Sequence, residues 1–149
     1  SINDETTDLF IESAFWFPKA IQGRCRKLNF STDAAYRYER GVDYASTAEH
    51  LEYITQLVLD ICGTPETKVG PGEDVGANLP ERAPVKMRVD RCCKVVGVDI
   101  PLESMEESFK RLGFEYTLEN GVFTVVPPSF RFDIEIEEDL IEEVARLWG

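Results

Sequence analysis

The chain has 149 residues, of which 43% are hydrophobic and 30% charged, so it is long enough to form one packed domain or two small ones. The formal net charge of −12 disfavours nucleic-acid binding by the surface as a whole. The four cysteines contain no CxxC pair and there is one histidine, which leaves a zinc site poorly supported. We expect the thiols to be reduced, as in a cytoplasmic protein, and the N-terminus carries no pattern of an export signal. We expect no contact with a membrane, because every apolar run is too short to span one.

The first segment, residues 1–62, predicts one strand followed by helices. The run LFIESAFWF, from Leu9 to Phe17, is dense in apolar and aromatic residues and precedes a proline, which is typical of a buried strand. A short helix is expected from Lys19 to Leu28. A longer helix is predicted between Asp43, a candidate N-cap, and Gly63, a candidate stop, because apolar residues recur there at helical spacing.

A change of composition separates this segment from the next. Residues 63–84 contain four glycines and four prolines, which indicates a linker with one short extended piece near Val69. The stretch VKMRVDRCCKVVG, which begins at Val85, predicts a short strand and then a short helix that ends at Gly97.

The next elements are a helix and a hairpin. The stretch DIPLESMEESFKRLGF carries apolar residues at helical spacing, has Pro101 in its first turn, and ends at Gly113. The stretch FEYTLENGVFTVVPP alternates polar and apolar residues on both sides of Asn120-Gly121, the strongest two-residue turn signal.

The last stretch, PSFRFDIEIEEDLIEEVARLWG, combines many carboxylates with an aliphatic stripe. We expect a helix from about Glu135 that turns Leu140, Ile141, Val144, Leu147 and Trp148 to one side. Four carboxylates lie near one flank of that helix or just before it: Asp133, Asp139, Glu142 and Glu143. Hard oxygen donors at this spacing suit Mg²⁺ or Ca²⁺. The helix dipole also favours acidic residues in a first turn without any metal, so the pattern leaves both interpretations open.

Three stretches resemble one known family. STDAAYRYERGVD (residues 31–43), KRLGF (110–114) and PPSFRFDIEIEEDLIEEVARLWG (127–149) are similar, in order and spacing, to the beta subunit of bacterial phenylalanyl-tRNA synthetase. The resemblance covers essentially the whole chain, and its last motif is the most specific. It implies an α+β fold in three parts: residues 1–62, a C-terminal fragment of the B3/B4 editing module with a linker helix; 63–84, a Gly/Pro-rich linker; and 85–149, a small winged-helix-like B5 module of helices and a β-hairpin.

The same resemblance implies a fragment of an enzyme, phenylalanine–tRNA ligase, which charges tRNA-Phe with phenylalanine in an ATP-dependent reaction. The implied partners are tRNA-Phe and the alpha subunit in an (αβ)₂ heterotetramer, and ATP is bound by alpha rather than by this fragment. The isolated fragment is not expected to be active. Its implied work is subunit assembly and a Mg²⁺ site, shared with alpha, at the four carboxylates Asp133, Asp139, Glu142 and Glu143.

Part of an editing pocket is also implied. In the resemblance, Glu12 and Thr32 hydrogen-bond the hydroxyl of a mischarged tyrosine, while Ala34 leaves room for its ring. Such a site exists because binding alone discriminates poorly against an added hydroxyl group. The structural alternative is that Glu12 ends a strand and Thr32 caps a turn.

Two further functions are weighed against this interpretation. The winged-helix-like module predicts nucleic-acid binding, but the net charge opposes it, and the basic set RCRK at residues 24–27 is short. The set RYER at residues 37–40 either pairs with acidic residues inside the module, which we favour because Glu39 partly cancels the two arginines, or faces RNA. An unrelated acidic Ca²⁺ protein is disfavoured because no DxDxDG loop is present.

Overall fold

The computed structural model of the chain describes residues 2–149. The chain forms two compact units, which divide between Leu79 and Pro80. None of the helices in the described range combines the length and the apolar character that crossing a bilayer requires. The predicted α+β class is confirmed, because the chain contains helices together with a small antiparallel sheet.

The first unit consists of short helices, one longer helix and irregular segments. Its helices are α1 (Pro18–Ile21), α2 (Arg24–Leu28), α3 (Asp33–Tyr38) and α4 (Thr47–Cys62). None of the residues from 2 to 79 is buried. Large hydrophobic side chains are instead exposed, and Phe10 is 96% exposed. This unit therefore has helices but no hydrophobic core within the described residues.

Several predictions for the first unit need correction. The strand predicted from Leu9 to Phe17 is wrong: the segment is irregular, and the described residues 2–79 contain no strand with which it can pair. The helix predicted from Lys19 to Leu28 is split into α1 and α2, because Gly23 takes a left-handed conformation with φ of 75° between them. The residues around Val69 form neither a helix nor a paired strand, and the short extended piece expected there stays a prediction.

The long helix of this unit was predicted correctly except for its start. α4 ends before Gly63, as expected, but its N-cap residue is Ser46 rather than Asp43. The Asp43 carboxylate accepts a hydrogen bond from the backbone N–H of Ala45 at 3.0 Å, so it stabilises the turn that precedes the helix.

The second unit is built on a three-stranded antiparallel sheet. Its elements are β1 (Val85–Arg88), α5 (Val89–Val96), α6 (Leu102–Arg111), β2 (Glu115–Glu119), β3 (Val122–Val126) and α7 (Glu137–Trp148). The strand order is β1-β3-β2, with Met87 opposite Phe123 and Leu118 on the other side of Phe123. All the predicted elements of residues 85–149 are confirmed, including helix ends at Gly97 and Gly113.

The hairpin turn follows from its two residues. Asn120 and Gly121 have φ of 50° and 74°, and two positive values match the primed turn whose twist suits antiparallel strands. The pairing of β1 with β3, which makes the hairpin into a sheet, was not predicted.

The core of the second unit lies between the sheet and the helices. The rings of Phe109, Tyr116 and Phe123 contact one another, with centroids 5.1 to 5.8 Å apart. α7 packs against β1, α5 and α6. Leu140 and Val144 of α7 are fully buried, and each such side chain contributes about 1.5–3 kcal/mol through burial. The predicted stripe of α7 is therefore confirmed at its centre, whereas Trp148 at its end is exposed.

Candidate functional site

The predicted carboxylates lie in two places, on α7 and in the loop before it. We call residues 127–136 the pre-α7 loop. Asp139 closes the first turn of α7, because one of its carboxylate oxygens, Oδ2, accepts hydrogen bonds from the backbone N–H groups of Glu135 and Ile136, both at 2.8 Å. These groups lie at the start of a helix, where backbone donors lack partners within the helix. Asp139 therefore has a structural role here, which is to fix the direction in which the loop enters α7.

Glu143 is a buried carboxylate with an arginine against it. Its exposure is 3%, and its Oε1 accepts a hydrogen bond from Nη2 of Arg131 at 2.6 Å. Arg146 contributes a second guanidinium nitrogen at 3.2 Å. A buried charge is tolerated only when it is paired and hydrogen-bonded, so Arg131 makes the position of Glu143 possible.

Arg131 also binds Asp133. Its Nε and Nη2 donate to the two carboxylate oxygens of Asp133 at 2.9 and 2.7 Å, a bidentate pair. These hydrogen bonds hold the pKa of Asp133 below its ordinary range and raise the pKa of Arg131 above its ordinary value. The guanidinium lies 5.5 Å from the centroid of the Phe114 ring, which gives it a further favourable contact.

The four predicted metal ligands are therefore not arranged as one ligand set. Arg131 lies between Asp133 and Glu143, Asp139 is turned to the backbone, and the exposed Glu142 pairs with Arg146. Among residues 2–149, no three His, Cys, Asp or Glu side chains are placed to hold a metal ion. Because Mg²⁺ needs oxygen ligands at about 2.1 Å in octahedral geometry, the residues as arranged in this chain do not fit it.

A second arginine–carboxylate cluster fixes the other side of the helix start. Glu137 accepts hydrogen bonds from the backbone N–H and the guanidinium of Arg88 at 2.8 to 3.0 Å, and Arg91 lies 3.1 Å from it. The hydrogen bond from the Arg88 side chain is the main cause that lowers the pKa of Glu137 to about 2. Glu138 pairs with Arg91. These contacts join the first turn of α7 to the end of β1 and the start of α5.

Arg82 holds the pre-α7 loop from a third direction. Its Nη2 donates to the backbone carbonyl groups of Arg131 and Ile134 at 2.6 and 3.0 Å. Its guanidinium also lies 5.3 Å from the centroid of the Phe132 ring. The loop is thus held by Arg82 and Arg131, and Arg88 holds the first turn of α7 that follows it.

The residues predicted for an editing pocket lie in the first unit. Thr32 is the N-cap of α3, and its hydroxyl oxygen accepts a hydrogen bond from the backbone N–H of Ala35 at 3.1 Å. Ala34 lies exposed in α3, and Glu12 is exposed in an irregular segment. The capping role expected as the structural alternative for Thr32 is observed. The role of all three residues in editing stays a prediction.

Within the RYER set, Arg40 contacts a residue of the preceding helix, α3. The guanidinium of Arg40 donates to the backbone carbonyl of Tyr36 at 3.0 Å and lies 3.7 Å from the centroid of its ring. Arg40 therefore folds back onto α3, although its partners are a carbonyl and a ring rather than the acidic residues that were expected.

Each of the two units contains a region that matches a known protein domain. The chain matches two family models, the B3/4 domain over residues 1–63 and the tRNA synthetase B5 domain over residues 85–149. A phenylalanine–tRNA ligase beta subunit of Burkholderia lata is 59% identical over 97% of this chain. The corresponding proteins of Ralstonia nicotianae and Bordetella pertussis are 54% and 52% identical over 97% and 100% of it. The chain belongs to the phenylalanine–tRNA ligase beta-subunit family.

This family membership agrees with the resemblance drawn from the sequence. The chain spans 18% of the length of each of these three beta subunits.

Sequence reasoning missed the arginines that organise the site of this beta-subunit chain. The spacing of Arg131 and Asp133, two residues apart in the RFD stretch, was a local signal for their pairing. The contacts of Arg82 and Arg88 with the loop and with α7 join residues about 50 positions apart, and no local pattern marks them.

Proposed function

We propose that the chain is part of the beta subunit of a cytoplasmic phenylalanine–tRNA ligase, which charges tRNA-Phe with phenylalanine in an ATP-dependent reaction. The proposed partner is the alpha subunit in an (αβ)₂ heterotetramer, with ATP bound by alpha. The observation that carries the proposal is identity of 52 to 59% to three beta subunits over 97 to 100% of the chain. The isolated chain is proposed to be inactive in charging, because it spans a small part of such a subunit.

The three-part division drawn from the sequence is kept as a proposal: a B3/B4 fragment over residues 1–62, a linker over 63–84 and a B5 module over 85–149. The matched ranges of the two family models, 1–63 and 85–149, support it. The compact units divide at Leu79, inside the proposed linker.

The work proposed for residues 85–149 within the ligase is subunit assembly. The pre-α7 loop and α7 are held by hydrogen bonds from Arg82, Arg88 and Arg131 and yet expose large apolar side chains: Phe130, Ile136 and Trp148. Exposed apolar groups on a backbone held in this way favour binding to another protein, because less conformational entropy is lost when they are buried. We propose that this surface contacts the alpha subunit.

The magnesium and editing roles stay predictions. The carboxylates fit Mg²⁺ in the type of ligand atom but not in their arrangement, so no step of the reaction is assigned to the metal. The predicted editing residues belong to a unit without buried side chains among its described residues, and we propose that the isolated chain does not edit.

The assembly role is tested in the complete beta subunit, co-expressed with alpha. We expect Phe130→Asp to reduce recovery of the heterotetramer and charging activity together. Val98→Asp is the matched control, because Val98 is similarly exposed but lies in the loop between α5 and α6. Normal assembly of the Phe130→Asp enzyme, or equal loss in both variants, contradicts the role proposed for this surface.

The alternative function, an independent nucleic-acid-binding module, is not favoured. The relatives are ligase subunits, and the net charge of −12 opposes binding to phosphates. Tight and steeply salt-dependent binding of this chain to tRNA or duplex DNA would support the alternative.

A further inference from the structure

The arrangement around Glu143 raises the question of what neutralises its charge. Glu143 is one of two buried polar residues among residues 2–149, the other being Ser108. A carboxylate in such a place needs a cation or hydrogen-bond donors against it to offset the cost of removing it from water. Two guanidinium groups lie against Glu143: that of Arg146, at 3.2 Å, and that of Arg131, which alone of the two also donates to Asp133.

Arg131 is itself held in place from several sides. The backbone carbonyl of Arg131 accepts a hydrogen bond from Arg82, and its N–H donates to the carbonyl of Pro128 at 3.0 Å. The side chain is 18% exposed and lies near the ring of Phe114. The guanidinium is therefore built into the fold at the point where the two carboxylates converge.

A divalent cation that joins Asp133 to Glu143 needs the same place. Its bonds to oxygen are about 2.1–2.6 Å long, which leaves no room for a guanidinium between the same oxygens. A guanidinium that stays nearby also repels the ion. Occupation by arginine and occupation by a metal are thus mutually exclusive at this pair.

We infer that Arg131 is the built-in counter-ion of the Asp133–Glu143 pair, and that its guanidinium excludes a hard divalent cation such as Mg²⁺ or Mn²⁺ from this pair. The inference rests on contacts within this chain and does not depend on the assembly role proposed above. It also explains why acidic spacing alone misdescribes the site: the arginine two residues before Asp133 fills it.

The experiment compares metal binding by the purified chain and by four variants, with Mn²⁺ followed by electron paramagnetic resonance and Mg²⁺ by its effect on the melting temperature. Each Mg²⁺ sample is matched by NaCl at the same ionic strength. We expect the unmodified chain to show no saturable effect. Arg131→Gln is expected to show saturable Mn²⁺ binding. Its affinity is expected to be at least about tenfold above the upper limit measured for the unmodified chain, because a like charge is removed from the pair. Its melting temperature is expected to rise with Mg²⁺.

Two controls separate occupation of the pair from a general change in charge. Arg146→Gln removes a positive charge near Glu143 but leaves Arg131 in place, so its metal binding is expected to stay close to that of the unmodified chain. The double variant Arg131→Gln with Glu143→Gln is expected to lose the gain. Equal gains in Arg131→Gln and Arg146→Gln, or none in a folded Arg131→Gln, overturn the inference.

The inference remains testable even when Arg131→Gln is unfolded in the absence of metal. Refolding on addition of Mg²⁺, but not of NaCl, is then the supporting result, and failure to refold overturns the inference. Saturable Mn²⁺ binding by the unmodified chain that is abolished by Asp133→Asn also overturns it, because the ion would then share the pair with Arg131.

Discussion

The two units of the chain have similar lengths and differ in what they bury. All thirteen buried hydrophobic side chains of the described residues lie between Val85 and Val144, in the second unit. The first unit contains a sixteen-residue helix, α4, and none of its residues from 2 to 79 is buried. Helical spacing thus produces helices in both units, but a core forms only where a sheet and helices cover one another.

The largest expected effect comes from separating the units. We expect residues 80–149 to unfold cooperatively when expressed alone, because their core and the contacts of Arg82 lie within that range. Residues 1–79 alone are expected to show helical circular dichroism without a cooperative thermal transition. A sharp transition in residues 1–79, or none in residues 80–149, would contradict the contrast between the units.

The next largest effect compares the loss of one aromatic ring in each of the two units. Phe123→Ala in the second unit is expected to lower the free energy of unfolding by about 3–5 kcal/mol, because the ring is fully buried against Phe109 and Tyr116. Phe10→Ala in the first unit is the matched control, and its effect is expected to stay within about 0.5 kcal/mol. Urea titration of the whole chain measures both, and similar losses in the two variants would refute the interpretation.

The same contrast explains how much the sequence could predict. In the second unit, helix spacing, glycine at helix ends and Asn120-Gly121 act locally, and every predicted element forms. In the first unit, the apolar run from Leu9 to Phe17 indicated a strand, but a strand exists only through its neighbours. The family was predicted because its motifs are contiguous in the sequence.

The candidate site was only partly predictable, for a related reason. The acidic residues and the helix that carries three of them follow from spacing, whereas the partner of each carboxylate depends on the tertiary fold. Arg88 reaches Glu137 across 49 positions, and the pairing of Arg131 with Glu143 needs the loop to turn back onto α7. Charge patterns locate ionisable groups, and their neighbours in space decide whether these groups bind a metal or an arginine.

A smaller effect is expected from the buried carboxylate. Glu143→Gln is expected to cost about 1–3 kcal/mol of unfolding free energy, because the amide oxygen can still accept from Arg131 but the charge is lost. The control is Glu142→Gln, its exposed neighbour in sequence, with an effect within about 0.5 kcal/mol. Urea titration at neutral pH compares them, and equal effects would show that burial does not distinguish the two positions.

The smallest effect is a pH dependence that belongs to the second unit. The hydrogen bonds from Arg88 lower the pKa of Glu137 from 4.5 to about 2. As the pH falls through 4.5, Glu137 binds a proton in the unfolded chain but stays ionised in the folded chain. The stabilisation is therefore complete above that pH and is lost towards pH 2. The gain is modest, because Arg88 is largely exposed to water.

Measurement of the unfolding free energy of residues 80–149 between these two pH values tests this dependence. Glu137→Gln is expected to reduce the slope over this range without abolishing it, because the lowered pKa of Asp133 still contributes, whereas Glu135→Gln, two residues earlier in the pre-α7 loop, is expected to preserve it. A slope unchanged in Glu137→Gln would mean that the Arg88–Glu137 contact does not hold the start of α7 in solution. The pre-α7 loop and the start of α7 would then be held by Arg82, Arg131 and Asp139 without Arg88.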